Sequence, residues 1–253
     1  LYERGEWTWA KLRELAMKLT KDTSGSGKID RWGFGNWYTR GFVYMNGSSF
    51  AVNQKDGNQK LNFEDPRFME ALQFLADAKK EGWYMQDNSI IATGVPRRTV
   101  VMSMERQYFP ATLITQTRDE LAYAPLPRGP GVKDSVHIYE TDGYGIGNGS
   151  TKQKFAGQFI DICLETWYKD DLQGRRAWPQ EVFPVTREMD KKRSYFGPLA
   201  SALDTMIDPM LGEIVWTGDS PSQAIAGWQS QAELLLAEAN KPGEKPVRLP
   251  FKP

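Results

Sequence analysis

Cysteine is nearly missing from the 253 residues: Cys163 stands alone, which excludes an internal disulfide framework and any zinc site built on several thiolates. Histidine is as scarce. His137 is the only one, and it lies in an extended run without a serine elbow or a cysteine motif nearby, so a nucleophile–base pair has little to be built from. A lone histidine in a strand is ordinarily structural. Net charge is absent too, since 32 Lys and Arg balance 32 Asp and Glu. No field of one sign draws nucleic acid or an anionic membrane surface, and a neutral ligand is favoured. No apolar run approaches the roughly 18–20 residues of a membrane helix, so no membrane insertion of this segment is expected. The opening Leu1-Tyr2-Glu3-Arg4-Gly5 has no initiator Met and no signal-like apolar region. An export signal would have been removed or would lie outside the sequence.

What is abundant is aromatic: nine Trp, ten Tyr and twelve Phe make up 12% of the chain. Core packing accounts for most of them, and the remainder, beside Gly, Asn and Arg, suit a flat-faced ligand. The length leaves room for one large α/β domain or two lobes. Thr8 is an N-cap for a helix whose Trp9, Leu12, Leu15, Ala16 and Leu19 share a face. The Gly- and Ser-rich turn 22–30 leads into Trp32-Gly33-Phe34-Gly35, and a short helix is expected from Trp37 to Met45, closed by Asn46-Gly47. Asp65-Pro66 starts a helix with Phe68, Leu72, Leu75 and Ala76 inside, stopped at Gly82. Val100–Met104 reads as a buried strand and Leu121–Ala124 as another. Residues 135–147 form an extended segment, and helices follow over about 151–168, 198–211 and 221–240. The last has a capping box at Ser220 and Gln223. Alternating elements of this kind imply α/β layers with a mostly parallel sheet.

Candidate chemistry is sparse. Gly143-Tyr144-Gly145-Ile146-Gly147 lacks the spacing of a dinucleotide fingerprint, so no nucleotide cofactor is expected. The turn at Asp22 places oxygens at positions 1, 3, 5 and 9 of a calcium-loop pattern. Ser24 and Ser26 are neutral, however, and Gly33 replaces the bidentate Glu, so a plain turn and no metal is the expectation. Opposed carboxylates for glycoside hydrolysis have candidates such as Glu105 and Asp142, but two acids so far apart in sequence can be picked from any chain. Four clusters remain: Asn36-Trp37-Tyr38-Thr39-Arg40, Glu105-Arg106-Gln107-Tyr108, Asp142-Gly143-Tyr144, and Ser194-Tyr195-Phe196. Sugars present apolar C–H faces and a girdle of hydroxyls, and rings beside charged or amide groups match both.

The order of segments carries a resemblance. Trp7-Thr8-Trp9-Ala10-Lys11-Leu12, Gly27 through Phe34, Asn46-Gly47-Ser48, the helix from Pro66 to Gly82, Val101-Met102-Ser103-Met104, Tyr123-Ala124-Pro125-Leu126-Pro127, Asp142-Gly143-Tyr144-Gly145-Ile146 and the final helix pair follow one another. Together they resemble the extracellular solute-binding proteins of carbohydrate ABC transporters, the group that includes maltose-binding protein. The resemblance implies a two-lobed periplasmic-binding-protein-like α/β fold, present as a C-terminal portion without the N-terminal segment that builds most of the first lobe. It implies that residues 1–134 and 196–253 belong to the second lobe and 135–195 to the hinge crossing and first lobe. It further implies sugar contacts from Trp37, Arg40, Glu105, Arg106, Tyr108, Asp142, Tyr144, Tyr195 and Phe196, no catalytic residue, no cofactor, and an ABC permease as partner outside the cytoplasm. The alternative is a carbohydrate-active enzyme using Glu105 or Asp142. The helix after the crossing would be left without the sheet it packs on, and would be poorly protected, rearranged or covered by another chain.

Overall fold

The computed structural model describes residues 1–36, 39–85, 94–104, 116–138, 146, 149–176, 193–194 and 201–241. Helix α1, Trp9–Leu19, starts at Thr8, whose hydroxyl accepts from the Lys11 N–H, and buries Trp9, Leu12 and Ala16. Those three sit one turn apart, as the spacing requires. Strand β1, Trp32–Asn36, lies directly beneath it. The approach is so close that a Cβ on Gly33 would stand 2.0 Å from the Ala16 carbonyl oxygen, so only glycine fits there.

Helix α2 runs over Gly41–Met45, shorter than the expected helix from Trp37. Thr39 and Arg40 form a turn, and their side chains reach Tyr84 and Asp208; residues 37–38 lie outside the described residues. A hairpin follows, β2 Ala51–Asn53 and β3 Gln59–Leu61, paired antiparallel. Helix α3, Pro66–Glu81, has both predicted ends: Asp65 accepts from the Arg67 N–H, and Gly82 closes it in the left-handed region at φ 73°. It buries Phe68, Ala71, Leu72, Leu75 and Ala78.

Strands β4, Tyr84–Met85, and β5, Val100–Met104, flank β1 in a parallel sheet of order β4-β1-β5. Among the described residues β5 is an edge strand, and Val101 is exposed, which corrects the reading of this strand as buried. Leu121–Ala124 is not a strand. Burial alternates from 121 to 129, so the period of two was genuine, but Pro125 and Pro127 lack the N–H groups a ladder needs. The segment is held instead where Arg128 exchanges backbone bonds with Trp7 and Trp9, and where the Trp7 indole N–H donates to the Pro125 carbonyl at 2.7 Å.

Strand β6, His137–Ile138, pairs in parallel with β7, Arg193–Ser194, and lies against α2. Between them α4 spans Gln153–Arg176, eight residues past the expected end at 168, because no proline intervenes before Pro179. Phe155, Phe159 and Ile162 are 70%, 64% and 64% exposed. At i, i+4 and i+7 they form one stripe open to water. Helix α5, Ser201–Gly212, contains Pro209 and passes into a π-helical turn, Glu213–Thr217, whose Glu213 accepts from the Trp228 indole at 2.8 Å. The closing helix α6, Pro221–Ala239, has the predicted capping box at Ser220 and Gln223.

Much of the aromatic surplus is core. Trp9 stacks on Phe74 at 4.7 Å, Phe42 meets both, and Phe68 packs between Phe50 and Phe63 at 5.2 Å from each. Burying each such ring is worth roughly 1.5–3 kcal/mol. The turn at 22–30 is held by its own carboxylates. Asp22 accepts from the N–H groups of Ser24, Gly25, Ser26 and Gly27, and Asp30 from those of Thr23 and Ser24.

Candidate functional site

Parallel strands all deliver their chain at the same edge, and the loops that leave that edge form a crevice. The sheet β4-β1-β5 does this in register: Gly35 is opposite Met85, and Asn36 is opposite Met104. The chain therefore leaves β1 toward Trp37 and β5 toward Glu105 from adjacent positions, about 4.8 Å apart, the spacing of neighbouring strands. The small sheet repeats the arrangement. Ile138 is opposite Ser194, so the segment leading to Asp142 and Tyr144 and the one leading to Tyr195 and Phe196 leave one shared edge. Two pairs of parallel strands thus end side by side, β1 with β5 and β6 with β7. Because β6 lies against α2, the second pair of ends stands beside the helix that follows Arg40.

Arg40 is the member of the nine expected contacts that the described residues include. Trp37, Glu105, Arg106, Tyr108, Asp142, Tyr144, Tyr195 and Phe196 lie outside them. The structure sets Arg40 against α5: its Nε donates to Asp208 Oδ1 at 3.2 Å and its Nη2 to Asp208 Oδ2 at 2.8 Å. The Arg40 side chain is 16% exposed and that of Asp208 58%, so the pair contributes about 0–1 kcal/mol to stability. The preceding residue is also tied down, with the Thr39 hydroxyl 3.4 Å from the Tyr84 hydroxyl of β4. Thr39 belongs to the first aromatic cluster, whereas Tyr84 and Asp208 were not singled out from the sequence. Asp208 has a signal in hindsight, being an acid followed by Pro209 within the apolar stripe Leu203, Met206, Ile207, Met210 and Leu211.

Other candidate chemistry is modest. His137 is buried in β6, and no cluster of three or more His, Cys, Asp or Glu arranged for a metal ion occurs among the described residues. A groove of about 650 Å³ runs between β3 and α6, with Leu61, Phe63, Met69, Ile225 and Leu236 along it. It shares no residue with the strand ends. Its volume alone does not make it the site; the strand-end geometry is the better guide.

No known family model matches the sequence, and no curated protein sequence matches it. Solved structures do match. A maltose/maltodextrin-binding domain from Bdellovibrio bacteriovorus, bound to maltotriose, superposes with a TM-score of 0.67 at 17% identity, over 92% of this chain and 66% of that one. An ABC substrate-binding protein from Listeria monocytogenes in complex with cycloalternan gives 0.69 at 14% identity, over 92% and 64%. A third, from Mycobacterium tuberculosis in complex with glycerophosphocholine, gives 0.66 at 13%, over 92% and 64%. The chain therefore has the α/β fold of the two-lobed periplasmic-binding-protein-like structures and spans about two thirds of the length of those it matches. At these identities the likeness is one of fold.

Proposed function

We propose that this chain is the ligand-capturing part of a non-catalytic solute receptor, taking a sugar or oligosaccharide in an interlobe cleft and delivering it to an ABC transporter permease. The observation that carries the reading is the double pairing of strand ends, Asn36 with Met104 and Ile138 with Ser194. Four aromatic and amide-rich segments follow those strand ends in the sequence. Trp37, Tyr108, Tyr144, Tyr195 and Phe196 would then stack on sugar faces, while Arg40, Glu105, Arg106 and Asp142 meet hydroxyls directly or through neighbours. Two of the matched structures hold oligosaccharides, which supports that class; the third holds glycerophosphocholine, which keeps a small polar phosphodiester in the test.

In this reading, residues 1–134 and 196–253 belong to one lobe and 135–195 to the crossing and the other lobe, and closure is of the hinge type. No helix among the described residues is long and apolar enough to cross a membrane. The proposed location is extracytoplasmic, in a periplasm or on a cell surface as a lipoprotein. Calorimetry against a glycan panel and glycerophosphocholine, with the sugar recovered and chromatographed, is the test. Saturable binding with intact sugar is expected. Shortened sugar would turn the reading to an enzyme acting through Glu105 or Asp142, and silence across the panel would sink it.

A further inference from the structure

The Arg40–Asp208 pair has more geometry than stability requires. Helix α5 is already anchored by its apolar stripe, in which Leu203, Met206, Ile207, Met210 and Leu211 are each at most 1% exposed. A half-exposed ion pair adds little to such an anchor. What it supplies is direction: two side-by-side hydrogen bonds, at 3.2 and 2.8 Å, fix the angle between guanidinium and carboxylate as well as their distance. The partners are 168 residues apart in sequence.

Both ends of the pair sit where regular helix is interrupted or begins. Asp208 precedes Pro209, which has no N–H for the carbonyl of residue 205 and crowds that turn, and a π-helical turn follows at Glu213. Arg40 occupies the N-cap position of α2 without a capping side chain, three residues beyond Trp37. Through Thr39 and Tyr84 the same turn is tied to β4. The chain leaving β1 is thus held on one side by the sheet and on the other by α5, the helix that follows the segment with Tyr195 and Phe196.

We infer that Arg40 and Asp208 are a positioning pair for ligand binding: they set the separation between the strand ends of β1 and β5 and helix α5, and Asp208 acts on the ligand through Arg40 and the turn rather than by touching it. The inference rests on the reading of those strand ends as one wall of the cleft. It predicts a split between affinity and stability.

The test measures binding of maltotriose, with maltotetraose and glycerophosphocholine in parallel, to the parent chain and to three variants. For Asp208→Asn, affinity for whichever probe binds the parent should fall about tenfold, because binding loses preorganisation. Its unfolding midpoint should move by no more than about 4 °C. Asp208→Glu keeps the carboxylate and should retain most of the affinity, and exchanging the charges, Arg40→Asp with Asp208→Arg, should recover part of the loss. Added salt should weaken the parent more than Asp208→Asn, since an exposed pair is screened. Parent-like affinity in Asp208→Asn, or a loss matched by lower stability and unrelieved by the exchange, overturns the inference alone. A parent that binds neither these probes nor any member of the glycan panel overturns the cleft reading, and this inference with it.

Discussion

At the scale of single residues, buried Asn46 ties three segments together. Its Nδ2 donates to the Arg67 carbonyl and to Glu70 Oε2, both at 2.8 Å, and its Oδ1 accepts from the Gly131 N–H at 2.7 Å. Asn46 is fully buried, so removal strands several groups at once. Asn46→Ala is expected to destabilise the chain by about 2–4 kcal/mol in urea unfolding, and a loss under about 1 kcal/mol would show that the three segments stay docked without it. The turn at 22–30 supplies a pH prediction. Partial desolvation pushes Asp22 up, but the bonds from Gly27, Ser24, Ser26 and Gly25 prevail and hold it below its ordinary value. The Thr23 N–H, ahead of a smaller desolvation, does the same for Asp30. A folded value below the unfolded one contributes stability above the ordinary carboxylate value near 4, lost as pH falls through the lower folded values. Thermal midpoints should be flat from neutral pH to about 4 and fall below it, and Asp30→Asn should flatten that acid limb. Since both carboxylates are already engaged with the turn's own donors, millimolar calcium should leave the midpoint unchanged; a rise of several degrees would reveal a site.

At the scale of elements, ends written in local chemistry were readable. Thr8, Asp65-Pro66, Gly82 and the Ser220–Gln223 box start or stop α1, α3 and α6 where expected, because caps satisfy orphan backbone groups within a few residues. Leu121–Ala124 misled because alternation reports which side chains are buried and not whether a neighbouring strand exists. The hairpin β2–β3 and the π-helical turn were missed; the first has short strands, and the second depends on Pro209 and on Trp228 meeting Glu213. Helix α4 yields the next prediction. Its stripe Phe155, Phe159 and Ile162 forgoes roughly 1.5–3 kcal/mol of burial per side chain, whereas α3 buries Phe68, Ala71, Leu72, Leu75 and Ala78. Amide exchange in the 253-residue chain should therefore be much faster over 153–166 than over 66–81. Equal protection would mean that something covers the stripe in solution.

At the scale of the whole molecule, the sheet order decides which distant segments meet. If Tyr108 stacks on ligand, Tyr108→Ala should weaken sugar binding by roughly 1–3 kcal/mol, the worth of a buried aromatic face, with the fold intact by circular dichroism. Unchanged affinity would remove it from the site. The sequence by itself determined the α/β class, the capped helices, the shortage of histidine and cysteine, and the clusters of aromatic residues, since these follow from residue type and near-neighbour spacing. Only the tertiary structure decided that Asn36 ends beside Met104 and Ile138 beside Ser194, that Arg40 grips Asp208, and that α4 shows an apolar stripe to water. The physical reason is that register and helix docking are set by packing between residues tens to hundreds of positions apart, and no local pattern of caps or periods encodes which of them will touch.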